Sequence, residues 1–144
     1  MHLLKFTAVT LMVMEASVAN AQSAPYLTGN NLRNAISNYT LIGQNWAEFY
    51  QTDGNIAGRA RKDGRVCNYT GTWTARPDRI CYSYPAQHGE PAHSGCSKLK
   101  LNNNTITHFD PTFGWQKFDG VATRYFGNAL DRFSQPDCPP PPRR

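Results

Sequence analysis

The stretch Asn55-Ile-Ala-Gly-Arg-Ala-Arg-Lys-Asp-Gly-Arg-Val-Cys-Asn-Tyr-Thr-Gly-Thr-Trp-Thr-Ala75 decides the fold. Its centre, Asp63-Gly64, accepts the positive φ angles of a tight hairpin. After the turn, Cys67, Tyr69, Gly71, Trp73 and Ala75 alternate with Val66, Asn68, Thr70, Thr72 and Thr74. A period of two means a strand, and the aromatic set is the one expected to face the core. Before the turn, Ile56, Gly58 and Ala60 point one way and Ala57, Arg59 and Arg61 the other. The predicted outer face therefore carries a basic stripe of Arg59, Arg61, Lys62 and Arg65.

Outward from this hairpin the same texture continues. Runs of branched and aromatic residues at 39–43, 45–51, 55–62, 65–75, 79–84, 96–101, 105–109 and 115–125 are separated by turn signals such as Asp53-Gly54 and Pro77-Asp78. One short helix is expected over 29–37, with Thr28 as its N-cap and Leu32, Ala35 and Ile36 as its apolar stripe. The chain of 144 residues, 40% hydrophobic, allows one domain and excludes wholesale disorder. The expected fold is mainly β: a single small antiparallel barrel or sandwich of about eight strands with a short N-terminal helix.

The ends of the chain are read separately. Lys5, the apolar run 6–14 and Ala19-Asn20-Ala21 have the form of a secretory signal over residues 1–21. The β-rich domain then covers 22–133, and 134–144, with Pro139 to Pro142, forms a Pro-rich C-terminal tail. No stretch has the apolar length of a membrane helix, so a periplasmic or secreted location is expected, where disulfides persist.

Strand phase bears on the four cysteines. Cys81 lies opposite Ile80, Tyr82 and Tyr84 in phase, and Cys96 opposite Leu99 and Leu101. If these strands form a hairpin, Cys81 and Cys96 sit side by side, and their bridge contributes about 3 kcal/mol in the loop-entropy account. Cys67 and Cys138 are paired by elimination. No Cys-x-x-Cys motif is present, which favours structural over redox-active bridges.

No reaction is identified. His88, Glu90 and His93 are suitable zinc ligand types in one loop, but they serve equally as exposed turn residues. A carboxylate pair drawn from Glu48, Asp53 and Asp63 is weakened because both aspartates belong to Asp-Gly turns. No catalytic residue, metal or cofactor is therefore expected. Trp46, Tyr50, Trp73, Tyr82, Tyr84 and Trp115 are the candidate binding residues, with simple core filling as the competing account. The net charge of +5 makes Arg59, Arg61, Lys62 and Arg65 candidate anion contacts, although solubility alone accounts for such a charge. Export argues against nucleic acid and leaves an envelope protein or an anionic envelope component as the kind of partner that fits.

Several runs in residues 38–85 carry a resemblance: Asn-Tyr-Thr-Leu-Ile-Gly, Trp-Ala-Glu-Phe-Tyr-Gln-Thr-Asp-Gly, Tyr-Thr-Gly-Thr-Trp and Ile-Cys-Tyr-Ser-Tyr-Pro. With Leu27-Thr28-Gly29 and Gly95-Cys96, the chain resembles an uncharacterised family of small exported bacterial β-rich proteins. The resemblance implies a fold type and an export route, and no activity. Cys67 and Cys138 are additions to that family's single bridge. Gly71-Thr72-Trp73 is also similar to the Gly-x-Trp of lipocalins and the Thr-Gly-x-Trp of avidins, where it opens the first strand. Here it lies in the fourth, so the likeness is architectural at most. The expected function is a non-enzymatic binding or structural module of the bacterial envelope. The alternatives are a lipocalin-like carrier of a small apolar ligand, or a metal-dependent enzyme using the 88–93 loop.

Overall fold

A computed structural model of the chain describes residues 24–109 and 120–138. The segment read as a secretory signal, Trp115 and the prolines from 139 onward lie outside the described residues. Helix α1 (Gly29–Ile36) precedes strands β1 (Tyr39–Ile42), β2 (Trp46–Tyr50), β3 (Asn55–Lys62), β4 (Arg65–Ala75), β5 (Ile80–Tyr84), β6 (His93–Asn102), β7 (Thr105–Phe109) and β8 (Val121–Phe126). Each strand pairs antiparallel with the next, and β8 returns to β1 through Tyr39↔Phe126 to Ile42↔Thr123. The sheet is thus a closed barrel rather than a sandwich, and closure removes the exposed edges.

The turn residues act as their chemistry requires. Asp63 (φ 50°) and Gly64 (φ 78°) both take positive φ, which sets the register Lys62↔Arg65. At the β2–β3 turn Asp53 accepts the Asn55 backbone N–H at 3.0 Å. Thr28 stands at the helix N-cap position in extended backbone, but its side chain makes no cap bond, so packing rather than capping holds α1.

Helix α1 closes one end of the barrel. Leu32, Ala35 and Ile36 are buried with Leu41, Tyr50, Trp73, Ile80 and Leu99 in the main core. Arg124 donates to the Ala35 carbonyl at 2.9 Å, satisfying an orphan acceptor of the last helical turn. Each aliphatic side chain buried this way is worth about 1.5–3 kcal/mol.

Two features depart from the expected pattern. Strand β6 begins at His93 instead of 96, because Gln87 and Glu90 exchange two backbone hydrogen bonds around His88 and Gly89. Both turn residues have positive φ, so the 88–93 segment is a tight hairpin that returns its chain to β5 with His93 opposite Tyr84. Val66, on the outer phase of β4, is buried all the same. The short 3-10 helix Leu130–Arg132 and Phe133 lie over it, forming a second apolar cluster with Ala47 on the outside of the barrel. Elsewhere the outer face of β4 is exposed and polar at Asn68, Thr70, Thr72 and Thr74, the reverse of a lipid-facing band.

Both disulfides join the partners expected from phase and elimination. Cys81 and Cys96 are register partners with Cα atoms 4.0 Å apart. Cys67 is bonded to Cys138, and Asp137 and Cys138 both donate backbone N–H groups to the Val66 carbonyl.

Candidate functional site

The end of the barrel away from α1 holds a cavity of about 660 Å³. Gln44 and Asn45 of the β1–β2 turn, Asp63 and Gly64 of the β3–β4 turn, and Pro85, Gln87, His88 and Glu90 before β6 surround it. Trp46, Tyr69 and Tyr84 line it below, and Glu48 lies at the floor.

Glu48 is inward because β2 alternates: Trp46, Glu48 and Tyr50 share one phase. Its carboxyl is wholly buried and takes three hydrogen bonds. Tyr69 Oη donates to Oε1 at 2.7 Å, Tyr84 Oη donates to Oε1 at 2.6 Å, and Tyr50 Oη donates to Oε2. A carboxylate has about four lone-pair directions, so its acceptor capacity is nearly filled.

Two glycines make these bonds possible. Glu48, Gly58 and Tyr69 are register partners across β2, β3 and β4. The Tyr69 ring lies flat over Gly58, where a Cβ would sit 2.3 Å from Cζ, and so spans the intervening strand. The Tyr84 ring lies over Gly71 in the same way, with a built Cβ at 2.6 Å. With strands about 4.8 Å apart, Tyr69 on β4 reaches the carboxyl two strands away and Tyr84 on β5 reaches it three strands away, each by crossing a bare backbone on its neighbouring strand. Tyr84 is also stacked on His93, with ring centroids 4.8 Å apart and planes at 24°.

Burial pushes the Glu48 carboxyl above its ordinary value, against the three tyrosine hydroxyls and His93, which pull it down. Burial first, and then the charge of Glu48, push the phenols of Tyr50, Tyr69, Tyr82 and Tyr84 well above their ordinary value. The phenols therefore keep their protons, and those of Tyr50, Tyr69 and Tyr84 serve as donors to the carboxyl. A second buried polar set lies in the same barrel: Tyr82 Oη and Ser97 Oγ each stand 3.4 Å from His108 Nδ1.

The residues singled out in the sequence divide between these places. Trp46 and Tyr84 line the cavity, Tyr50 binds its floor, and Trp73 and Tyr82 fill the core, with Trp73 Nε1 donating to the Gln51 carbonyl at 2.9 Å. Of the basic stripe, Arg59 donates to the Leu130 carbonyl at 2.8 Å. Arg61 donates to Ser134 Oγ at 2.6 Å and lies over the Phe133 ring. These two arginines hold the C-terminal segment against the barrel. Lys62 forms an ion pair with Glu90, and Arg65 is exposed beside it at the β3–β4 turn.

His88, Glu90 and His93 do not converge. His88 Nε2 lies 2.5 Å from the Asn68 carbonyl, Glu90 faces Lys62, and His93 faces Tyr84 and the Pro91 carbonyl. No group of three His, Cys, Asp or Glu side chains among the described residues is placed to hold a metal ion. The functional residue that sequence reading undervalued is Glu48, set aside there with the turn aspartates. Its signal was present, since a glutamate in phase with Trp46 and Tyr50 has to be inside. No family model matches the chain, and neither a curated protein nor a solved structure does.

Proposed function

We propose that the protein is an exported, non-enzymatic binding barrel that takes one small molecule into the cavity opposite α1. The observation that carries this reading is the cavity itself. Its volume of about 660 Å³ falls within the usual range for small-molecule sites, and its aromatic walls converge on one buried polar floor. The two disulfides support a compartment outside the cytoplasm, as does the signal-like pattern of residues 1–21.

Binding is favoured over catalysis by the state of Glu48. A general acid or base must reach the proton that it moves. Glu48 is fully buried, and three hydroxyls already occupy its two oxygens. It is built to hold Tyr69 and Tyr84 in place at the cavity floor.

Native mass spectrometry of the protein purified from its own source tests the reading, together with titration by the neutral fluorophore N-phenyl-1-naphthylamine. A bound small molecule, or one equivalent of fluorophore taken up and lost in Trp46→Ala, is the expected result. A ligand-free mass combined with no uptake of the fluorophore would overturn it.

A further inference from the structure

The chemistry of the cavity floor narrows the ligand class, and this step rests on the binding reading above. Tyr69 and Tyr84 each have a single O–H, and both are committed to Glu48 Oε1. What their oxygens have left is lone pairs, so a group docking on them must bring the hydrogen. Beneath them lies a buried carboxyl whose three hydrogen-bond donors are neutral hydroxyls, so its ionised form is still favoured by a nearby positive charge.

The walls favour a cation among the possible donors. Trp46 and Tyr69 are aromatic, and ring faces attract positive charge, most of all where water is excluded. The other charges of the lining are already disposed of or point the same way. Lys62 is neutralised by Glu90, and the Arg61 guanidinium is drawn outward to Ser134 and Phe133. Asp63 adds a second carboxylate at the rim.

We infer that the cavity recognises a protonated organic amine: its N–H groups donate to the Tyr69 and Tyr84 oxygens, its charge faces Glu48, and its apolar body lies against Trp46. The site is set before the ligand arrives, because the phenol rings already lie across the bare backbone of Gly58 and Gly71 with their hydroxyls bonded to Glu48. Glu48 opposes the ammonium charge only when ionised, so the amine binds more tightly as pH rises through the carboxyl's titration. The titratable groups facing Glu48 are Tyr50 on β2, Tyr69 on β4, Tyr82 and Tyr84 on β5, and His93 on β6. At the rim stand Arg61, Lys62, Asp63, His88 and Glu90. Histidine is the side chain whose charge ordinarily changes between pH 5 and 8. The double variant His88→Gln, His93→Gln therefore separates its contribution from that of Glu48.

Calorimetry on the full protein with three probes of one shape tests the assignment: phenylbutylamine, phenylbutanol and phenylbutyrate. The amine is expected to bind with one equivalent and at least about tenfold more tightly than the alcohol or the carboxylate, the scale of a charge-assisted hydrogen bond. Glu48→Gln should erase that preference, bringing the amine's affinity to the level of the alcohol's measured in the same variant. Tyr84→Phe, which keeps the ring and removes the acceptor oxygen, should reduce the preference in a background that folds normally. In the histidine double variant the rise of amine affinity with pH should persist. Equal affinity for amine and alcohol, tighter binding of phenylbutyrate, or an amine preference that survives Glu48→Gln would each overturn the amine assignment and leave the binding barrel standing. Exclusion of all three probes and of N-phenyl-1-naphthylamine would instead overturn both.

Discussion

At the α1 end of the barrel, Leu32, Ala35 and Ile36 meet Trp73, Tyr50 and Leu99 in an apolar plug; at the opposite end, Trp46, Tyr69 and Tyr84 surround a cavity over a buried carboxyl. The same strands supply both. Strand β2 carries Tyr50 toward the plug and Trp46 toward the cavity, with Glu48 between them, and β4 carries Trp73 and Tyr69 in the same division. One end stores stability in close packing. Among the described residues the other surrounds a cavity and holds its side chains by hydrogen bonds, and it is there that the proposed ligand would bind.

Each end has its own disulfide, and these give the largest test of the division. Cys67 lines the cavity and binds Cys138 across a sequence separation of 71, whereas Cys81 and Cys96, nearer the α1 end, are separated by 15. Replacing Cys67 and Cys138 with alanine should cost about 4 kcal/mol in urea unfolding, against about 3 kcal/mol for Cys81 and Cys96, because the longer loop confines the unfolded chain more. The first variant should also release Leu130 and Phe133 from Val66, seen as faster amide exchange there.

Next in size is Leu32→Ala in the plug, expected to destabilise by about 2–5 kcal/mol while leaving the cavity's uptake of fluorophore unchanged. Loss of uptake in a variant that still folds would break the separation of the two ends.

At the cavity end, Gly71→Ala should cost about 1–3 kcal/mol, since the new Cβ meets both the Tyr84 ring and the Ser83 carbonyl oxygen. Here uptake should fall as well, because the displaced ring leaves Glu48 with one donor fewer. An unaltered ligand affinity in Gly71→Ala would show that the Tyr84 position is immaterial to the site.

The smallest effect is one of pH. Glu48 holds its proton more tightly in the folded than in the unfolded state, so its contribution is fully present below the ordinary value of 4.5 and is lost as pH rises through the folded value. Stability of Glu48→Gln measured across this window should lack that decline. A parallel decline in both proteins would place the titrating group elsewhere.

Much of the architecture is legible in local residues. Asp63-Gly64 forces its hairpin, the alternation from Val66 to Ala75 assigns the faces of β4, and the phases of Cys81 and Cys96 anticipate their bridge. Less is legible of the site. His88-Gly89 does not have the usual form of a hairpin turn, so β6 is read too short and His93 is left in a loop rather than opposite Tyr84. The basic stripe reads as a free surface because nothing local announces that residues 130–134 return to cover Val66 and engage Arg59 and Arg61.

The sequence by itself determined which side chains face inward, since a strand's faces follow from a period of two and its turns from residues that accept positive φ. Only the tertiary structure decided which inward residues meet. Closing eight strands brings Tyr69 and Tyr84 across Gly58 and Gly71 to the single carboxyl of Glu48, and it leaves the cavity at one end while α1 fills the other. These contacts depend on the register of several strands at once, and no local pattern along the chain contains that information.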